Sequence, residues 1–325
     1  MSRQRGSSPG FTYASLSIAL LLASGTQATA EEKAPPEDLN QADMLGTPNP
    51  EAEAEEAEEE SEKSGLGSRF SVVVNMDFTT AYVFRGILQE RNGFIWQPSI
   101  DIGLNLYEGE GALSSVDLGF GIWNSFQSEQ TLAENGPANL YETDYYPSVT
   151  LAWSPGIETA LTYQIYTSPN GAFTTIQQLD FSVGWDDSEV LGAFALYPTA
   201  LFSFEVDGTS FGEKEGGYFE LALEPGFDVT FPGDEEENYP LTLSFPLAVG
   251  LSLYDYYETE ESDDTFGFFS FGFGLSIPLA FIPEDFGAWS AGAGVVIYVL
   301  GDTLEEVNLG DSPFAVGTGS ITLEF

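Results

Sequence analysis

The 325-residue sequence contains no cysteine and no histidine, and its eight basic residues stand against fifty-two acidic ones. Without cysteine the chain has no disulfides, thiolate metal sites or cysteine nucleophiles. Without histidine it lacks the usual general base and the commonest metal ligand. We therefore predict that the protein is not an enzyme and holds no metal or cofactor. The net charge of −44 also argues against nucleic acid as a partner, because phosphate backbones require Lys and Arg.

Long apolar runs are scarce, and the one near the N-terminus is short. Arg3 and Arg5 precede an apolar segment at 14–25, and "ATA" at 28–30 fits the small-x-small cleavage pattern. We predict a signal peptide over 1–30, which exports the chain. Residues 31–67 include the acidic run "EAEAEEAEEESEK" and almost nothing apolar, which predicts a disordered acidic spacer. A short solvated helix in the Glu/Ala run is the alternative.

From residue 68 to the C-terminus the sequence alternates between apolar and polar residues. In "FIWQPSIDIGLNLY" (94–107), Ile100 and Ile102 share one face and Asp101 the other, which is strand periodicity. Twelve such segments are predicted, at about 69–85, 93–107, 114–126, 140–153, 159–168, 173–185, 192–205, 217–231, 240–254, 266–279, 288–300 and 314–325. An even number of long strands, with longer connections at one end, predicts an all-β fold, a transmembrane antiparallel β-barrel. A soluble sandwich or barrel is the alternative.

Two features favour the membrane. Each of three tryptophans, Trp153, Trp185 and Trp289, lies beside a short turn and on the apolar face, as an aromatic girdle at a membrane interface requires. The last strand presents Ile321, Leu323 and the terminal Phe325 on that same face, a pattern that resembles the C-terminal assembly signal of bacterial outer-membrane barrels. We therefore predict location in the outer membrane of a Gram-negative-type bacterium. The predicted partners are the lipid bilayer and the barrel assembly machinery.

The segment "NMDFTTAYVFRGILQ" (75–89) resembles the first strand of the TorF-like family of outer-membrane porins. The residues that carry the resemblance are Tyr82, Phe84, Arg85, Gly86, Ile87 and Gln89. The resemblance implies an outer-membrane pore with poorly defined solutes, and it implies no catalytic motif.

Arg85 is one of only four basic residues after residue 67. In a continuous first strand, Arg85 shares the lumenal face with Asn75 and Asp77, and a lipid-facing arginine would cost about 2–4 kcal/mol. One hypothesis is that Arg85 pairs with a wall carboxylate and anchors the turn that Gly86 opens. The other is that Arg85 also narrows the pore opposite an acidic wall. The candidate pore-lining residues are Arg85, Asp77, Asp101, Asp117, Glu142, Asp144, Asp180, Glu205 and Glu220.

The predicted barrel carries thirty-nine acidic residues against four basic ones. A lumen so lined attracts cations, so we predict passive diffusion of small polar or cationic solutes. The alternative is a non-conducting barrel with a structural, adhesive or assembly role. The acidic clusters at 234–238 and 258–264 do not fit the twelve-residue calcium-loop pattern, and we interpret them as solvated loops.

Overall fold

The computed structural model of the protein describes residues 69–229, 241–259 and 262–325. The predicted signal peptide, the predicted spacer and the acidic cluster at 234–238 lie outside these residues. Most of the described residues belong to β-strands, which are joined by turns and short helices.

The strands and helices of the described residues have the following bounds. The strands are β1 (Phe70–Thr79), β2 (Tyr82–Phe84), β3 (Ile87–Glu90), β4 (Ile95–Glu108), β5 (Leu113–Gln127), β6 (Leu140–Trp153), β7 (Ile157–Thr167), β8 (Ile176–Trp185), β9 (Thr199–Asp207), β10 (Gly217–Leu223), β11 (Gly226–Val229), β12 (Leu241–Ser244), β13 (Leu247–Tyr254), β14 (Phe266–Pro278), β15 (Ala288–Leu300) and β16 (Phe314–Glu324). The helices are α1 (Ser188–Leu191) and α2 (Asp302–Val307), with 3-10 turns at Gly192–Phe194 and Glu284–Phe286. None of the helices in the described ranges is long and apolar enough to span a membrane.

Fourteen of the strands form one antiparallel sheet that closes on itself, whereas β2 and β3 form a separate two-stranded sheet. The ring closes where the first strand meets the last, with Val73 of β1 opposite Glu324 of β16. From β16 the pairing continues through β15, β14 and β13 around the ring to β4, which neighbours β1. The ring is therefore closed, and among the described residues of the wall only the short strand β11 has a single paired neighbour, β12.

Two wall segments are each interrupted near a proline. Glu224 and Pro225 separate β10 from β11, and Phe245 and Pro246 separate β12 from β13. Proline has no N–H to donate to the ladder, so a break at these positions is expected. With β10–β11 and β12–β13 each counted as one segment, the wall has twelve strands. The predicted antiparallel barrel of about twelve strands is confirmed.

The distribution of polar and apolar residues is inverted relative to that of a soluble protein. On β8 the inward Asp180 and Ser182 are 7% and 3% exposed, whereas Phe181 between them is 42% exposed. Other outward aromatic residues, such as Phe120 of β5 and Phe271 of β14, are exposed to a similar degree. An apolar exterior around a polar interior requires an apolar solvent, so the fold is that of a membrane β-barrel.

The two ends of the barrel are named here by the chain. The terminal end is where β1 begins and β16 ends. Its connections at 109–112 and 154–156 are short, but the one at 186–198 contains α1, so Trp185 does not lie beside the predicted short turn. The loop end is the opposite one, with longer connections at 128–139, 255–265 and 301–313.

The predicted first strand, 69–85, is wrong over its last part. The final backbone contact with the wall is made by the Thr80 N–H, which donates to the Gly317 carbonyl at 2.9 Å. Beyond Ala81 the chain leaves the wall, and residues 82–90 fold into the lumen as the β2–β3 hairpin.

The predicted strand at 192–205 begins too early, because β9 starts at Thr199. The N–H groups of Leu196 and Tyr197 donate to the Asp187 carboxylate at 3.0 and 3.1 Å. These hydrogen bonds hold the segment before β9 in a loop, so its N–H groups are not free to join the sheet.

Candidate functional site

The β2–β3 hairpin, which we call the plug (residues 82–90), occupies the loop end of the lumen. Phe84 pairs with Ile87 across a two-residue turn, whose φ angles are 48° at Arg85 and 83° at Gly86. Positive φ at both central residues matches a type I′ turn, in which Asn-Gly is the preferred sequence. Arginine at the first position is locally unfavourable, so contacts of its side chain must compensate.

The Arg85 side chain runs from the turn to the barrel wall. The whole residue is only 3% exposed. Its Nη1 donates to the Tyr256 hydroxyl at 3.0 Å, and its Nη2 donates to Ser203 Oγ at 2.6 Å. Asp180 lies 3.7 Å from Nη2 and accepts a hydrogen bond from Ser203. The buried positive charge is thus paired near the middle of β8 and β9, which offsets its desolvation.

Three aromatic rings surround the Arg85 guanidinium. Its Cζ lies 4.4 Å from the ring centroid of Tyr218, 5.0 Å from that of Phe84 and 5.4 Å from that of Tyr256. These distances are within the range of cation–π attraction, which is stronger in a desolvated site. The Tyr218 hydroxyl in turn donates to Glu220, which orients the ring.

The backbone of the turn is held by two connections of the loop end. The Tyr257 hydroxyl donates to the Arg85 carbonyl at 2.8 Å, and Asn308 Nδ2 donates to the Gly86 carbonyl at 2.8 Å. Asn308 Oδ1 also accepts from the Leu88 N–H at 3.1 Å. One amide side chain thereby satisfies a donor and an acceptor of the plug that would otherwise be buried without partners.

The base of the plug is tied to the opposite side of the wall. The Tyr82 hydroxyl donates to Glu142 at 2.8 Å, and the Tyr141 hydroxyl donates to Gln89 at 2.7 Å. Burial alone would raise the pKa of Glu90. Hydrogen bonds from Thr131 and from the Asn92 and Arg91 N–H groups outweigh burial and hold that pKa below its usual value.

Apolar side chains fill the space on both sides of the plug. On one side, Val83 and Ile87 belong to a buried cluster with Tyr218, Phe268, Tyr298 and Leu304. On the other side, Tyr82 and Phe84 belong to a second cluster with Trp123, Tyr141, Tyr146 and Tyr166. A cavity of about 30 Å³ beside the plug has room for water only. Among the described residues, the plug and these side chains fill the loop end of the lumen.

The predicted pore-lining residues are distributed unequally around the plug. Arg85 is not on the first wall strand, as its parity predicted, but at the tip of the plug. Asp180 contacts Arg85, Glu142 contacts Tyr82, and Glu220 holds Tyr218.

The other predicted acids do not converge on the Arg85 anchor. Asp77 and Asp144 are inward and buried. Glu205 accepts the N–H groups of Ser210 and Gly216 and so holds the 208–216 connection. Two acids, Asp101 of β4 and Asp117 of β5, face the lumen nearer the terminal end. Asp117 accepts hydrogen bonds from Asn105 at 2.8 Å and from Ser115 at 2.6 Å.

The three tryptophans of the predicted girdle all lie at the terminal end. Trp153 and Trp185 both pair with Ile157, one on each side of β7. Trp289 pairs with Leu323 of the last strand. Trp153 and Trp185 are therefore in register across β7, and Trp185 is 37% exposed.

The three residues of the predicted assembly signal lie at the ring closure. Ile321 pairs with Met76 of β1, and Leu323 pairs with Val74. The Phe325 backbone exchanges two hydrogen bonds with Val72, at 3.2 and 3.0 Å, and its side chain is 64% exposed.

Sequence reasoning missed the residues that receive the plug, chiefly Tyr256, Tyr257, Leu304 and Asn308. These residues lie in connections, where no periodicity indicates an inward side chain. One signal was present in "GVVIYVL" (294–300), which is apolar on both faces of β15. A wall strand that faces lipid and water should alternate, so this run indicates an apolar partner inside the lumen.

No protein-family model and no curated protein matches the sequence. Among solved structures, the chain is similar to an outer membrane channel from Pseudomonas putida F1, at 12% identity and a TM-score of 0.44, over 79% of this chain and 94% of that one. It is also similar to outer membrane phospholipase A from Escherichia coli, at 12% identity and a TM-score of 0.40, over 78% and 92% of the two chains. LpxR from Salmonella typhimurium matches at 8% identity and a TM-score of 0.40, over 78% and 99%. These likenesses concern the fold alone.

The prediction that the protein is not an enzyme, which rested on the absence of cysteine and histidine, is wrong as an exclusion. The solved barrels with a similar fold include a phospholipase, so a barrel of this kind can be enzymatic. Among the described residues, no group of three or more acidic side chains is placed to hold a metal ion.

Proposed function

We propose that this protein is an outer-membrane channel for small polar or cationic solutes, whose lumen is held closed by the plug. The Arg85 anchor is the observation that carries the proposal. A single side chain joins the tip of a hairpin to the wall through Asp180, Ser203 and Tyr256. Loss of that anchor would loosen the tip of the plug, leaving it to the hydrogen bonds from Tyr257 and Asn308, without breaking any backbone pairing of the wall.

The charge of the barrel supports cation preference. The four basic residues after residue 67 are Arg69, Arg85, Arg91 and Lys214, and three of them are engaged in ion pairs, with Asp180, Asp311 and Glu258. Inward carboxylates therefore face the lumen with little compensation, which attracts cations and repels anions.

The outer-membrane location rests on several features together. The apolar exterior, the tryptophans of the terminal end and the apolar side chains of Ile321, Leu323 and Phe325 support insertion into a bilayer by the barrel assembly machinery. The resemblance of 75–89 to the TorF-like family supports a porin-like role. Within that resemblance, Tyr82, Phe84, Arg85, Gly86, Ile87 and Gln89 all belong to the plug.

A non-conducting barrel with a structural or adhesive role is the second candidate, and the apolar packing of the plug favours it. A hairpin whose apolar side chains are buried in two clusters resists withdrawal, because each buried side chain adds about 1.5–3 kcal/mol.

Single-channel recording of the refolded full chain in a planar bilayer with a salt gradient separates the two candidates. The wild type should show brief cation-selective openings, and Arg85→Asn should lengthen them, since Asn suits the turn but cannot reach the wall. Arg91→Asn, which removes an exposed ion pair, is the matched control and should leave the openings unchanged. Complete silence of correctly folded wild type and Arg85→Asn protein would favour the non-conducting barrel, and anion selectivity would refute the predicted lumen.

A further inference from the structure

The wall groups that hold Arg85 form a complete receptor for a guanidinium group. Asp180, Ser203, Tyr218 and Tyr256 all belong to the barrel or its connections, and none belongs to the plug. Together they supply a carboxylate, two hydroxyl acceptors and two aromatic faces around one planar cation. These are the elements by which proteins recognise guanidinium and alkylammonium ligands.

We propose that this pocket is a solute site for guanidinium compounds and that Arg85 occupies it as a tethered internal ligand. When the tip of the plug withdraws, the four wall groups are left without their cation. A free guanidinium then restores the same interactions and competes with Arg85 for the same place. The inference deepens the proposed channel function, since it names the class of solute, and its transport consequence rests on that function.

The shape of the pocket favours guanidinium over a simple ammonium ion. Nη1 and Nη2 of Arg85 donate to different acceptors, Tyr256 and Ser203, and the Tyr218 ring lies 4.4 Å from the central carbon. A planar fork satisfies both acceptors and presents its face to the ring, whereas a spherical cation cannot do both at once. Arg85 Nε is buried without a hydrogen-bond partner among the described residues, so the pocket recognises the two terminal nitrogens of the group and not the nitrogen on its stem side.

The local cost of arginine in the turn supports the same conclusion. Asparagine or glycine would fit the positive φ of 48° at this position better than arginine does. The turn therefore does not account for the residue, whereas the receptor on the wall does.

The site is tested without any measurement of current, by chemical rescue of Arg85→Asn. The variant is refolded with millimolar methylguanidinium chloride, or with methylammonium chloride at equal ionic strength, and its melting temperature is measured in detergent. We expect a saturable rise with methylguanidinium alone, because a ligand at ten times its Kd multiplies the ratio of folded to unfolded protein by about eleven. Arg91→Asn and the double variant Arg85→Asn/Asp180→Asn should show no such rise.

Equal shifts in Arg85→Asn and Arg91→Asn, or no shift in either, would overturn the site. If Arg85→Asn does not fold alone, the yield of heat-modifiable barrel with and without methylguanidinium replaces the melting curve. Recovery with methylguanidinium only supports the site, and equal failure in both conditions overturns it. A barrel that binds methylguanidinium but never conducts would retain the site and refute the channel, so the two failures are distinguishable.

Discussion

The two halves of the lumen are lined by different kinds of side chain. At the loop end, five large inward aromatic residues are each less than 5% exposed, namely Trp123, Tyr166, Tyr218, Phe268 and Tyr298. At the terminal end the facing positions are small, since Gly103 pairs with Gly119, which pairs with Ser148. On the other side of the ring, Gly274 pairs with Gly294.

The wall and the closure of the lumen therefore depend on different interactions. The wall is held by backbone ladders that run through both halves, whereas the closure depends on side chains that meet the plug in one half only. Changes at the loop end should therefore alter conductance or the stability of the plug. Changes at the terminal end should alter the electrostatics of the entrance and leave the closure intact.

The largest effect is expected from excision of the plug. Tyr82 and Glu90 are paired neighbours, so replacing 82–90 by Gly-Ser joins the cut ends without stretching the wall. The loop half then loses its filling, and we expect large, steady, cation-selective currents in a planar bilayer. Asp117→Asn, a change in the terminal half, should alter selectivity alone. A folded but silent excised barrel would show that another segment closes the lumen.

The next effect concerns Leu304 of α2, which is fully buried against the plug. Leu304→Ala leaves a cavity and should lower the free energy of unfolding by about 2–5 kcal/mol, as measured by denaturant titration in detergent. Leu309 lies in the same connection and is 85% exposed, so Leu309→Ala should change the free energy of unfolding little. Equal losses in the two variants would mean that α2 does not support the plug.

A smaller effect is expected from Gly86→Ala. A Cβ there would lie 2.8 Å from Leu304 Cδ1 and 2.9 Å from Phe268 Cδ1, at a φ of 83°. Gly310→Ala carries almost the same backbone penalty, at a φ of 80°, but a Cβ there meets nothing within 4 Å. The excess destabilisation of Gly86→Ala over Gly310→Ala, about 1–3 kcal/mol by denaturant titration, measures the tightness of the packing at the tip. Equal destabilisation by the two substitutions would show that the turn does not pack against α2.

The smallest expected effect is a dependence of stability on pH, which arises from Glu90 at the base of the plug. The pKa of Glu90 is lowered in the folded protein, so its contribution to stability is present above the unfolded pKa and is lost as pH falls through the folded pKa. Melting temperatures from pH 7 down to about 3 should therefore fall more steeply for the wild type than for Glu90→Gln. Parallel curves would show that the hydrogen bonds from Thr131 and Asn92 contribute nothing.

The wall could be predicted because lipid on one side and the lumen on the other impose a period of two on each strand. The plug could not, because Tyr82 and Phe84 continue the parity of β1 and no glycine or proline marks the point where the chain leaves the wall. The alternation shows which residues share a face of a strand, but it does not show whether that face meets lipid, water or another part of the chain.

The anchor was predictable in part. The alternation of the first strand placed Arg85 on the lumenal face, and the scarcity of basic residues indicated a carboxylate partner. That partner is Asp180, 3.7 Å from Arg85 Nη2. The choice among the inward acids depends on how far a hairpin reaches across the ring, which is a tertiary property. The aromatic partners Tyr218 and Tyr256 depend on the same reach, so no local pattern identifies them.

The position of the plug in the chain has a consequence for the order in which the molecule is built. Gly86 bonds to Asn308, 222 residues later, and Arg85 accepts from Tyr257, 172 residues later. The plug is therefore synthesised before the connections that hold it, and its contacts with them can form only after most of the chain has been made. Contacts of such long range form late and slowly. The last strand pairing, β1 with β16, both completes the wall and traps the hairpin inside it.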